Sequence, residues 1–168
     1  VFDAIEIRGT LEGLAARFAA ERGVSPEGLA PLMECLDEID DIVRTALGTE
    51  EGFTRYMAAN ARIHDMIGDL ADSPNLKRQI ERAAALPFAS PSGFVMAQSM
   101  LPESRQILIV AQDQHRCIVD AIANREGTRA QALMQEHARL AGRNLRLALG
   151  SEPALQRVRG GSLIRPVA

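Results

Sequence analysis

The stretch EEGFTRYMAANARIHDMIGDLAD, residues 50–72, decides how the chain is read. Its apolar residues Phe53, Tyr56, Met57, Ile63, Ile67 and Leu70 recur at three- and four-residue spacing, which marks a helix with one face turned to a core. Asn60 and His64 stand in the middle of that stripe. Being four residues apart, they project one turn above the other, so an amide and an imidazole point together into the interior.

The same periodicity extends in both directions, and the strong helix formers Ala, Leu, Arg, Glu and Gln dominate the sequence. It predicts an all-α fold, an antiparallel bundle of about six helices. The first runs from about Phe2 to Arg22, with Ile7, Leu11, Leu14 and Phe18 as its apolar stripe and Gly23 where a C-terminal cap belongs. Ser25-Pro26 opens a second that ends near Gly48. Thr49-Glu50-Glu51 opens the third, which reaches Asp72, and Ser73-Pro74 opens a fourth that reaches Leu86. Residues 87–102 hold Phe88, Phe94, Val95 and Met96 among Pro, Ser and Gly, too apolar for a solvated linker, and are expected to form an ordered crossover. A fifth helix spans about Glu103 to Arg125 and is broken at Gly127; Thr128 is expected to cap a sixth that ends near Leu149. Residues 1–150 form one domain on this reading, and 151–168 a flexible tail.

Composition agrees with that picture. The 168 residues are 46% apolar and 24% charged, enough for a single packed core and inconsistent with disorder or a collagen-like repeat. The longest apolar runs fall far short of the ~20 residues a membrane span needs. Cys35 and Cys117 are isolated and form no CxxC, which fits a reducing cytoplasm. The net charge is -3, and three arginines lie in residues 151–168, so the body is more acidic than the whole. That balance gives no footprint for a phosphate backbone, and an aromatic content of 4% gives no stacking platform for single strands. The chain opens at Val1 rather than Met and is expected to be part of a longer protein.

Two further helices repeat the anomaly of residues 60 and 64. His115 lies within the stripe Leu108, Ala111, Ile118, Val119 and Ile122, and His137 within Leu133, Met134, Leu140, Ala141 and Leu145. These are the chain's three histidines. Burying an imidazole without a partner costs roughly 2 kcal/mol or more, so three beside an amide call for a common explanation. One divalent ion supplies it, since neutral imidazole is a common ligand for such metals and bundle sites are built from inward side chains on facing helices. The other reading is that each histidine bonds a backbone carbonyl in an ordinary core.

Catalytic arrangements are less well matched. A zinc hydrolase wants a general base beside the metal, but Asp65, Asp113 and Glu136 sit one or two positions from a histidine and turn off its face. A di-iron bundle wants Glu three residues before His, where this chain has Ala61, Gln112 and Met134. Cys117, two residues from His115, faces away from it.

The segment Glu6-x-Arg8-x3-Glu12, the pair Asn60-x3-His64, His115 followed by Asp120-Ala121-Ile122, and His137 late in the sixth helix resemble the FCD effector-binding domain of GntR-type bacterial transcription regulators, the FadR subfamily. The resemblance covers about residues 1–149. It implies a six- or seven-helix bundle that binds a small organic acid beside a divalent metal such as Zn, Ni or Mn, with Asn60, His64, His115 and His137 as ligands. Many members carry Asp where this chain has Asn60, a change that removes a negative charge from the site. The family's winged helix-turn-helix is missing from this chain, so DNA contact is expected only through that domain, in a homodimer and away from any membrane. The run Leu86-Pro87-Phe88-Ala89-Ser90-Pro91-Ser92 is similar to regulators of aromatic-acid catabolism.

Arg8 has two readings: a clamp for the effector's carboxylate, to which the resemblance points, or a partner of Glu12 on a solvated helix face. Asn144, two turns beyond His137, is the expected second polar contact. Phe53, Met57, Phe88, Phe94 or Met134 are candidates for the apolar wall of a site for a small carboxylate, aromatic acids included. The sequence thus reads as a ligand-sensing domain rather than an enzyme. The rivals are a metal-dependent enzyme acting on a small acid and a structural dimerisation bundle, for which inward histidines are unnecessary.

Overall fold

The computed structural model describes residues 2–86, 89–92 and 104–149. Six helices make up these residues: α1 (Phe2–Arg22), α2 (Pro26–Thr45), α3 (Glu50–Leu70), α4 (Pro74–Ala84), α5 (Ser104–Ala123) and α6 (Gly127–Leu149). The all-α bundle is therefore as expected.

Local chemistry sets the helix ends. Gly23, at φ 82°, takes the left-handed turn after α1, and Ser25 accepts from the Gly28 N–H to cap α2, with Pro26 in its first turn. Thr49 and Ser73 cap α3 and α4 in the same way through the N–H groups of Gly52 and Leu76. The α5–α6 turn differs from the sequence reading. Its left-handed residue is Arg125, at φ 61°, whose guanidinium reaches the Glu21 carbonyl at 2.8 Å. The Glu126 N–H returns to the Ala121 carbonyl in a Schellman-type closure, so α6 already begins at Gly127 and Thr128 lies inside its first turn rather than capping it.

Helix α1 corrects a second expectation. Its buried face is not the Ile7, Leu11, Leu14 and Phe18 stripe; Ile7 is half exposed and the other three are partly covered beside Leu76 and Ile80 of α4. The face turned inward is Ile5, Arg8, Gly9, Glu12, Gly13, Ala16 and Ala20. Small residues win because α1 lies very close to α6. A Cβ on Gly9 would stand 2.5 Å from Ala138 Cβ, and one on Gly13 would stand 2.9 Å from Gln135 Cγ. The facing pairs Gly9–Ala138, Gly13–Gln135 and Arg17–Gln131 run in opposite numerical directions, so the two helices are antiparallel.

The core proper lies between α1, through Ala16, Ala19 and Ala20, and α2, α3, α5 and α6, with Ile39, Ile42, Ile63, Ile67, Ile118 and Ile122 fully buried. Of the expected crossover, 89–92 is described, and there Ala89 is buried and Ser92 bonds the Met57 carbonyl at 3.3 Å. Phe88, Phe94, Val95, Met96 and the tail at 151–168 lie outside the described residues. No described helix is long and apolar enough to cross a membrane.

Candidate metal centre

Four helices bring polar side chains to one buried point. His64 comes from α3, His115 from α5 and His137 from α6, and one ring nitrogen of each lies within 4.8 Å of the other two. The rings pack with centroids 4.3 to 5.7 Å apart, and all three are at least nine-tenths buried. Their neighbours on the same helices, Asp65, Asp113 and Glu136, are exposed, as the spacing required.

Each ring is anchored through Nδ1. His64 Nδ1 is 3.1 Å from Glu12 Oε1, His115 Nδ1 is 3.2 Å from Gln112 Oε1, and His137 Nδ1 is 3.2 Å from Gln114 Oε1. All three partners are oxygens, so each Nδ1 carries the proton and donates. In the rings of His115 and His137, which are neutral, the lone pair is then on Nε2. The Nε2 atoms of His64 and His137 face one another at 3.2 Å, and His115 Nε2 is buried with no partner among the described residues.

That donor set fits a metal ion. With metal–nitrogen bonds of ~2.0–2.1 Å, two adjacent ligands on one ion stand about 2.8 Å apart at a right angle and up to about 3.4 Å in a tetrahedron, and the 3.2 Å between the His64 and His137 Nε2 atoms falls within that range. Burial and the neighbouring imidazoles hold the His115 and His137 pKa values well below the ordinary 6.5, so both rings are neutral, the form a ligand needs. The oxygens behind the rings are of the kind that orients metal-bound histidine.

Arg8 and Glu12 form an ion pair at 2.5 Å, as one of the two sequence readings had it, but the pair is buried rather than solvated. Burial alone would raise the Glu12 carboxyl. Attraction to His64 and Arg8, with their hydrogen bonds, more than offsets it and holds the group below its ordinary value. Arg8 Nε has no partner and is buried. It lines a cavity of about 20 Å³ together with Tyr56, Asn60, His64, His137 and Asn144. Asn60 Nδ2 donates to Ser92 Oγ at 3.1 Å, and Asn144 Oδ1 is buried without a partner.

The structure thus brings together all six residues singled out from the sequence. Of the expected wall, Phe88 and Phe94 lie outside the described residues, and the other three do not line the cavity. Phe53 and Met134 sit in the main core, Met57 packs against it, and the apolar lining of the cavity is instead Tyr56, Leu108, Ala111, Leu140 and Ala141. Sequence reading also missed Gln112 and Gln114. Gln112 carried a signal, being one turn before His115 on the buried face; Gln114 reaches across to another helix and carried none.

Among the described residues, six helices close around three inward histidines and a buried Arg–Glu pair. Residues 3–140 match the FCD domain model, and the chain belongs to that family. It is accordingly a regulator's effector-binding domain, the class its sequence resembles. No curated protein matches the sequence.

Proposed function

We propose that the domain senses a small organic carboxylate by binding it beside one divalent ion held by His64, His115 and His137, with Asn60 as the fourth ligand. The observation that carries this reading is the convergence of one ring nitrogen from each of three buried histidines, each ring anchored at Nδ1 by an oxygen behind it. The ion is Zn, Ni or Mn by ligand type; imidazole suits the first two and the amide oxygen of Asn60 the third. Open coordination positions and the free Nε of Arg8 would take the acid group, and Asn144 would supply a further polar contact.

A cavity of about 20 Å³ has room for about one water molecule, so an acid enters only as neighbouring side chains or the 89–92 segment give way. The small volume favours an acid of few carbons over an aromatic one. Such a displacement is the means by which binding would favour one arrangement of the bundle and, in a homodimer, reset the attached winged-helix domains on DNA. The enzyme reading finds no support in the described residues, since Glu12, the one carboxylate at the centre, is engaged by Arg8 and His64.

Elemental analysis of the purified domain, followed by calorimetric titration of small carboxylates and of the matching amides, tests the proposal. We expect one ion per chain, lost in His115→Ala, and heat from the carboxylates only. Equal binding of neutral analogues, or full metal stoichiometry in His115→Ala, overturns it.

A further inference from the structure

We infer that Gln112 is a positioning residue: it fixes which nitrogen His115 offers to the centre and ties the centre to α2. The inference rests on the metal reading above for its consequence, but not for its geometry. Gln112 is almost wholly buried, and its amide has neighbours on both sides. Nε2 of the amide lies 2.9 Å from the Leu36 carbonyl and 2.7 Å from Asp40 Oδ1. A carbonyl and a carboxylate only accept, so they select the amide nitrogen and leave Oε1 for His115. Oε1 in turn only accepts, so the proton of His115 must sit on Nδ1 at 3.2 Å. The lone pair is thereby placed on Nε2, the atom left without a partner in the interior.

Asp40 is not free to turn away from this duty. Arg116 of α5 pairs with its other oxygen and also reaches Asp37 at 3.1 Å. The order of the chain of contacts is Arg116, Asp40, Gln112, His115, and it crosses between α5 and α2 and back. His64 is held in the same sense by Glu12, a carboxylate that can only accept, whereas the partner of His137, Gln114, is an amide only partly buried and has no such second tie. In an apolar environment without Gln112 the His115 ring would be free to carry its proton on Nε2, which cannot ligate in that form.

The test uses the metal-free domain labelled with ¹⁵N at histidine, whose nitrogen shifts report the tautomer, together with zinc titration of the same samples. In Gln112→Met, of similar size but without an acceptor, we expect the Nε2–H form of His115 to appear and the zinc dissociation constant to rise on the order of tenfold to a hundredfold. The double variant Gln112→Glu, Asp40→Asn reverses the direction of the lock, with residue 40 now donating to a carboxylate that still accepts from Nδ1. It should keep the Nδ1–H form and bind zinc within a few-fold of the wild type. Retention of Nδ1–H in Gln112→Met, unchanged zinc affinity there, or loss of Nδ1–H in the double variant overturns the inference. Should Gln112→Met fail to fold, the double variant decides. A wild-type domain that binds no zinc defeats the metal reading, while the tautomer still reports on Gln112.

Discussion

The Nε2 atoms of His64 and His137 lie 3.2 Å apart, and both rings spend their Nδ1 protons on oxygens elsewhere. When both rings are neutral, two lone pairs face each other across a buried gap, an arrangement that a cation relieves. Any ligand that binds the folded state alone stabilises it, by about 2.7 kcal/mol at a hundred times its dissociation constant. For a chain of this length that corresponds to roughly 5 to 10 °C in Tm. We expect added zinc or nickel to raise the thermal midpoint of the chelator-treated domain by this order, and His115→Ala to show no rise. The same shift in wild type and variant would remove the histidines from the site.

Acid should destabilise the metal-free domain in a defined window. His115 and His137 are held well below 6.5 by burial and by their neighbours, whereas in the unfolded chain each titrates at its ordinary value. Above about pH 7.5 both states are neutral and these groups contribute nothing. As the pH falls through 6.5 the unfolded chain takes up protons that the folded one refuses, so stability declines by up to about 1.4 kcal/mol per pH unit for each group. Glu12, held low, adds stability that is lost only in more acid solution, below its ordinary 4.5. Urea denaturation at a series of pH values from 8 to 5, in the presence of chelator, should show the first decline. A flat profile would mean that the rings are protonated or exposed.

Much of this centre is legible from spacing alone, because a histidine inside an apolar helical stripe has one direction in which to point. His64, His115 and His137 were found that way, and Asn60 through its register with His64. Helix α1 was not. Ranking residues by hydrophobicity selects Ile7, Leu11, Leu14 and Phe18, whereas close approach to α6 selects glycine and alanine and carries Arg8 and Glu12 inward with them. Burial of those charges is tolerable because they pair with each other and because Glu12 also takes His64, 52 residues away, a partner that no local pattern reveals.

Arg8 consequently has a structural duty as well as its proposed one. Removing one member of a buried ion pair costs about 3–5 kcal/mol, because the other charge is left without compensation. Arg8→Ala should therefore lower stability by several kcal/mol, even though it deletes no apolar core residue. Arg8→Met with Glu12→Gln removes both charges and keeps an oxygen for His64 Nδ1, so its loss should be clearly smaller than the sum of the single changes. A double-mutant cycle in denaturant measures the coupling. Additive losses would show the pair to be energetically idle, and Arg8→Ala could then be used directly in effector titrations.

Two glycines distinguish close packing from mere absence of a side chain. In a helix interior, Gly→Ala gains about 1 kcal/mol from backbone entropy when the new methyl meets nothing. Gly68, in the last turn of α3, has the open space but less of the helical gain: a Cβ there would have no atom within 4 Å, and it borders a cleft of about 80 Å³ between α3 and α4. Gly9 is the opposite case, since its Cβ would lie 2.5 Å from that of Ala138. Overpacking costs about 1–3 kcal/mol, enough to cancel or exceed the helical gain, and the strain falls on the two helices that carry Arg8 and His137. We expect Gly68→Ala to raise the urea midpoint and Gly9→Ala to lower it, with metal affinity reduced only in the second. If both substitutions stabilise, α1 and α6 are not in the close contact that turns Arg8 and Glu12 inward.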